Sequence, residues 1–308
     1  MTSLPLAGLA PSRSQTARAT VAGIGICLPE FKTGPLAAPV DLVGVSVRVQ
    51  PDQGATTPAL AARAARAALA AARAEASEIG LVVVGTTSPD VLWPSTACLV
   101  QAELALPMVG SFDLYAAEAG LLTALTVADR YVRAGTAAAL VIGAESDSQL
   151  VRIPSDNETR QGCAASAVVL RAGTGAGGIL ASTAGGAPAP DGQSHDAVLL
   201  RGLARSVDEC LKRAGLSLDG VDLVVADQTA PEIMRAWARA AGLPAARLFL
   251  DPERYWQAFV AAPFVALHDA VLEGRLEKGA TALMLSCGRG PAWAVACLRW
   301  EGGGIRRC

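Results

Sequence analysis

Ile79-Gly80-Leu81-Val82-Val83-Val84 is a short, unbroken apolar run directly behind the Ala-rich, helix-patterned segment Ala59 to Ala74. A run of this length without polar alternation predicts a strand covered on both faces, as in a parallel sheet. The same order returns later in the chain. Asp196 to Ala214 carries apolar positions at helical spacing, and Val221-Asp222-Leu223-Val224-Val225-Ala226 follows as a strand. The exits match as well, Thr87-Ser88-Pro89-Asp90 against Thr229-Ala230-Pro231-Glu232. A second correspondence sets the helix Ala119 to Arg133 and the strand Ala138 to Ile142 against the helix Ala258 to Leu276 and the strand Thr281 to Leu285. Both offsets are roughly 140 residues, far above the 20 to 50 of solenoid repeats, so the pattern is that of a duplicated unit. Strands alternating with helices give mostly parallel sheets, and two such units packed together predict five layers, α/β/α/β/α. The expected organisation is a flexible arm over 1–20, a first half over 21–172 and a second over 173–308.

The 308 residues are 52% apolar, enough for a large core, and the formal charge of -2 carries no basic excess. Arginines are scattered along helices, so the electrostatic footprint of a nucleic-acid binder is missing. The Ala-rich run from Pro58 to Ala76 is interrupted by Arg63, Arg66 and Arg73, which argues against a membrane span. The apolar patch Leu4 to Leu9 has no basic stretch before it and is too weak for a signal peptide. Seven cysteines, widely spaced and without a C-x-x-C pair, argue against a disulfide framework or structural zinc, so a reduced cytoplasm is the expected setting. Gly173-Thr174-Gly175-Ala176-Gly177-Gly178 fits G-x-G-x-x-G, but Ile179 to Thr183 continues as a strand where a dinucleotide site needs a helix N-terminus. A Gly-rich hairpin turn is the expectation there.

Thr86-Thr87-Ser88-Pro89-Asp90, Trp93-Pro94-Ser95-Thr96-Ala97 and Gln101-Ala102 resemble the early half of the beta-ketoacyl-acyl-carrier-protein synthase III family. Val21 to Glu30 resembles the family's first strand and Trp293 to Trp300 its last, so the likeness spans nearly the whole chain. The resemblance implies a thiolase-like fold. It also marks three positions. The family's nucleophile segment, Phe-Asp-x-x-Ala-Ala-Cys, is here Phe112-Asp113-Leu114-Tyr115-Ala116-Ala117-Glu118, so Glu118 stands for the cysteine. The His-Gln-Ala-Asn-x-Arg segment corresponds to Asp227-Gln228-Thr229-Ala230-Pro231-Glu232, placing Asp227 for the histidine and Glu232 for the arginine that favours the carrier's phosphates. The family's asparagine aligns with Gln257.

Condensation in this family needs a thiolate to carry the acyl group and His and Asn donors to hold the enolate oxygen. A carboxylate at Glu118 would form a reactive anhydride, and one at Asp227 repels the charge that a histidine accepts. The resemblance therefore implies a condensation-incompetent chain that supports an active ketosynthase paralogue as a heterodimer partner, since family members dimerise and a residue matching Trp93 reaches across the interface. Self-pairing as a homodimer is the alternative assembly. A different reading makes Glu118 and Asp227 an acid/base pair for acyl transfer, hydrolysis or cyclisation, because two close carboxyls push one pKa upward. A carrier or ligand-binding module is a third. No cofactor is implied; an acyl-carrier-protein or coenzyme A thioester is the expected ligand. Cys287 and Gly288 fall in the Gly-rich loop that borders the family's pocket, where Cys287 is a packed thiol or a substitute nucleophile. Neither His195 nor His268 falls on a family position. The segments Phe31 to Val43 and Gly173 to Val198 are shorter than their counterparts around the family's acyl channel.

Overall fold

A computed structural model describes residues 18–28, 56–146, 163–227, 231–249, 251, 258–288 and 292–308. Two sheets organise it. The first holds β1 (Ala19–Cys27), β2 (Ile79–Gly85), β3 (Gly110–Leu114), β4 (Ala138–Glu145), β5 (Ala164–Ala172) and β11 (Gly304–Arg307) in the order β11-β1-β5-β4-β2-β3. The second holds β6 (Gly178–Gly186), β7 (Leu223–Ala226), β8 (Leu248–Phe249), β9 (Thr281–Gly288) and β10 (Ala292–Arg299) in the order β6-β10-β9-β7-β8. β2 pairs parallel with β4 and β7 parallel with β9, so the duplicated strands occupy equivalent places. β4 and β9 are buried along their whole length, which is what their unbroken apolar sequence requires.

Helices cover both sheets. α1 (Thr57–Ala72) and α2 (Thr96–Glu103) lie outside the first sheet; α4 (His195–Ala214) and α5 (Pro231–Ala240) lie outside the second. Between the sheets run α3 (Gly120–Arg133) and α6 (Ala262–Leu272), each touching strands of both. The order is α/β/α/β/α, as the duplication predicts. Leu121, Leu122, Leu125, Phe264, Val265 and Leu267 fill the middle layer and are buried, which at roughly 1.5 to 3 kcal/mol per large side chain makes it the main adhesive between the halves. The helix expected over Ala258 to Leu276 is shorter: a 3-10 turn at Phe259–Ala261 leads into α6, with Pro263 tolerated in the first turn.

Two expectations are corrected. The Gly173 to Gly178 turn is not a hairpin: β5 belongs to the first sheet and β6 to the second, so the turn is a crossing between layers. The cysteine count also hid a pair. β11 runs parallel to β1 with Gly23 beside Gly304 and Ile26 beside Arg307, so the next pair in register is Cys27 and Cys308, which form a disulfide with Cα atoms 5.3 Å apart. The remaining cysteines of the described residues, Cys98, Cys163, Cys210, Cys287 and Cys297, take part in no disulfide.

Candidate functional site

The ends of β2 and β9 meet the start of α3, Gly85 against Gly120 and Gly288 against the turn at Ala117 and Glu118. Gly85 closes β2 against Gly120; a Cβ at Gly85 would lie 2.6 Å from the Gly120 carbonyl carbon. Only glycine at this strand end lets α3 begin directly on the sheet. Just before the helix, Ala117 takes φ 47°, a left-handed conformation that disfavours side chains, and Glu118 follows. Glu118 is partly buried.

Asp227 follows β7 and is buried. The pairing of Ala226 with Leu285 brings it beside Ser286 and Cys287 of β9. The Cys287 N–H donates to Asp227 Oδ2 at 2.7 Å. Ser286 Oγ lies 2.8 and 2.9 Å from the two Asp227 carboxyl oxygens and 2.8 Å from the Glu118 carbonyl oxygen. One hydroxyl thus joins the two positions that the sequence singled out. Burial pushes the Asp227 carboxyl well above the usual carboxylate range; the Cys287 N–H and Ser286 hydroxyl oppose the rise and the Glu118 charge adds to it. Gly288 packs against the same turn, where a Cβ would stand 2.7 Å from the Ala117 Cβ and 2.9 Å from the Glu118 nitrogen.

Cys287 is buried, and its thiol is pushed up by burial first and then by the charges of Asp227 and Glu118. A thiol so placed is protonated at neutral pH and is a poor nucleophile. Cys287 is therefore a packed thiol.

A third carboxyl was not singled out by the sequence. Glu145 ends β4, the first-half counterpart of β9, and is buried. It accepts from the Thr87 N–H at 2.8 Å and the Thr87 hydroxyl at 3.0 Å, and from the Ser88 hydroxyl. Ser88 in turn accepts from the Ser146 N–H at 3.0 Å, and Thr57 Oγ1 donates to the Ser88 carbonyl at 2.6 Å. Burial raises the Glu145 carboxyl to about 7 against these donors, and the Glu118 charge adds to the rise. Its one sequence signal is an acid continuing a fully apolar strand.

Trp93 stands apart, 87% exposed on the loop between β2 and α2. That loop is fixed by Asp113, whose carboxylate accepts from the Thr96 and Ala97 N–H groups at 2.7 and 2.8 Å at the start of α2. Glu232 lies in the first turn of α5, whose backbone alone is described there. Gln257 and the segment Phe31 to Val43 lie outside the described residues. His195 is exposed at the start of α4; His268 is buried in α6 with Nδ1 2.6 Å from Asp269 Oδ1. Among the described residues, no group of three or more His, Cys, Asp or Glu is arranged to hold a metal ion, and no helix is long and apolar enough to cross a membrane.

Residues 112–188 match the family described as 3-oxoacyl-(acyl-carrier-protein) synthase III, and residues 211–300 match its C-terminal part. The beta-ketoacyl-(acyl-carrier-protein) synthase III of Rhizorhabdus wittichii is 34% identical, over 92% of this chain and 99% of that protein. The Aquifex aeolicus protein of the same name is 32% identical, over 72% of this chain and 77% of that one. Crystal structures of 3-oxoacyl-(acyl-carrier-protein) synthase III superpose with TM-scores of 0.81 for Aquifex aeolicus and 0.80 for Pseudomonas aeruginosa. They share 28% and 29% identity and cover 92% of this chain, against 100% and 99% of their own.

Proposed function

Because the chain belongs to the 3-oxoacyl-(acyl-carrier-protein) synthase III family, we propose that it is a condensation-incompetent member that supports an active ketosynthase partner in fatty-acid-like or polyketide-type biosynthesis. One observation carries this reading. Glu118 and Asp227 are tied together through Ser286, where condensation by the family's chemistry needs a thiolate and an imidazole. A carboxylate at 118 cannot store an acyl group as a stable thioester, and the Cys287 thiol is buried and held protonated. Loss of the nucleophile and base of such a site costs about 10⁴ to 10⁶ in rate.

Pairing is supported by the edge of the first sheet. β3 is an edge strand. Met108 and Tyr115 bracket it, and the Asp113 contacts draw the loop carrying Leu92 and Trp93 to its end; all four side chains are exposed. An open edge ringed by large apolar side chains is a surface that a partner chain covers.

A second reading is favoured by the position of Glu118, whose charge raises both the Asp227 and the Glu145 carboxyls. An acid kept neutral beside an ionised one is the arrangement of general acid/base chemistry, here acyl transfer, hydrolysis or cyclisation of a thioester. The two readings separate experimentally. Purified protein is incubated with acyl-coenzyme A and malonyl-carrier protein, and separately co-expressed with a ketosynthase III paralogue from the same genome. We expect no acyl-enzyme by intact mass, no chain extension, and co-purification with the paralogue. Thioester turnover by the chain alone, abolished in Glu118→Gln, supports the acid/base reading instead; malonyl-dependent extension overturns both.

A further inference from the structure

We infer that Asp227 is a neutral carboxylic acid that donates to Ser286, which in turn donates to the Glu118 carbonyl, making Asp227 and Ser286 the positioning pair for the turn that carries Glu118. Ser286 Oγ has three oxygen neighbours, Glu118 O at 2.8 Å, Asp227 Oδ1 at 2.8 Å and Asp227 Oδ2 at 2.9 Å. A serine hydroxyl owns one hydrogen, and an ionised carboxylate and a backbone carbonyl own none. With Asp227 ionised, either its carboxylate or the Glu118 carbonyl would face the serine oxygen at hydrogen-bond distance with no hydrogen between them. In a buried place that costs about 1 to 3 kcal/mol.

With Asp227 protonated every atom has a role. The Asp227 hydroxyl donates from Oδ1 to Ser286 Oγ, the Ser286 hydroxyl donates to the Glu118 carbonyl, and the Cys287 N–H donates to Asp227 Oδ2 at 2.7 Å. Glu145 is provided for differently: its carboxyl meets the Thr87 N–H and the Thr87 and Ser88 hydroxyls, donors enough for an ionised group. Among the described residues, the titratable groups facing Asp227 are Glu118 from the turn before α3 and Cys287 from β9; a negative charge on either favours the neutral acid. Burial favours it more than they do.

The relay has a mechanical use. Ala117 holds a left-handed conformation that isolated peptides avoid, so the turn needs an external hold. Ser286 supplies it as a hydrogen bond from β9, and the missing side chain of Gly288 gives the turn room to sit there. This holds whether or not the site turns over substrate, so its test is independent of the proposed function.

Two measurements decide it. First, infrared spectra of protein labelled with ¹³C-carboxyl aspartate are compared at pH 7 for wild type and Asp227→Asn. We expect the wild type to show a protonated-acid carbonyl band that the variant lacks; identical spectra in that region overturn the inference. Second, hydrogen exchange is followed at the Gly120 and Thr123 amides, which bond to the Ala117 and Ala119 carbonyls. Ser286→Ala should exchange about five- to tenfold faster, whereas Ser286→Thr, which keeps the hydroxyl, should stay at the wild-type rate. Asp227→Asn, whose side-chain amide donates to Ser286 and accepts from Cys287, should also exchange at the wild-type rate. Unchanged exchange in Ser286→Ala, or exchange in Asp227→Asn as fast as in Ser286→Ala, overturns it. If Ser286→Ala does not fold, the infrared comparison and the Asp227→Asn exchange still decide.

Discussion

Replacing Glu145 with glutamine should flatten the pH dependence of folding stability. Glu145 is buried and its carboxyl is raised from 4.5 to about 7. A carboxyl with a raised folded-state pKa binds its proton more tightly in the native protein than in the unfolded chain. Its stabilisation is complete below the unfolded value and disappears as pH climbs through 7. At 1.36 kcal/mol per pKa unit, the wild type should lose about 2 to 3 kcal/mol from this group between pH 5 and pH 8. Glu145→Gln cannot titrate, and the Thr87 and Ser88 hydroxyls can rotate to meet its amide. Urea unfolding of both proteins at pH 5, 6, 7 and 8 gives the difference in stability at each pH. The wild type should fall relative to the variant by that amount, most steeply around pH 6, midway between the unfolded and folded values. Parallel pH profiles would show that burial does not hold the Glu145 proton, and the reasoning would fail.

Gly288→Ala puts a methyl group 2.7 Å from the Ala117 Cβ, and should destabilise the protein by about 1 to 3 kcal/mol in the same urea assay. Iodoacetamide at pH 8 should modify Cys287 of the native protein at least about 100-fold more slowly than in urea, because the thiol is buried and protonated; peptide mass mapping reads this. Fast native labelling there would restore Cys287 as a nucleophile.

The layered fold was readable because its central strands are unbroken apolar runs that recur in the same order, and Ile79 to Val84 and Val221 to Ala226 occupy equivalent places in the two sheets. The link between Glu118 and Asp227 was readable only as a pair of positions in a family pattern; periodicity places neither beside the other. Glu145 escaped because a single acid after Gly143 and Ala144 looks like the polar end of a strand, while the register keeps it inside. Ser286 escaped because a small hydroxyl in an apolar run carries no periodic signal. The Cys27–Cys308 bond depends on β11 lying beside β1, a pairing across 281 residues that no local pattern encodes. The Gly173 turn misled because hairpins and layer crossings draw on the same residues.

That distant strand gives the duplicated halves a seam that does not follow the chain. Synthesis delivers β1 long before its neighbour, and one flank of β1 stays bare until Gly304–Arg307 has left the ribosome. The earlier-made half therefore cannot finish its own sheet before the later-made half exists, and a cut in the Gly173–Gly178 crossing would leave a first piece short of one strand and a second piece carrying a strand that belongs to no sheet of its own.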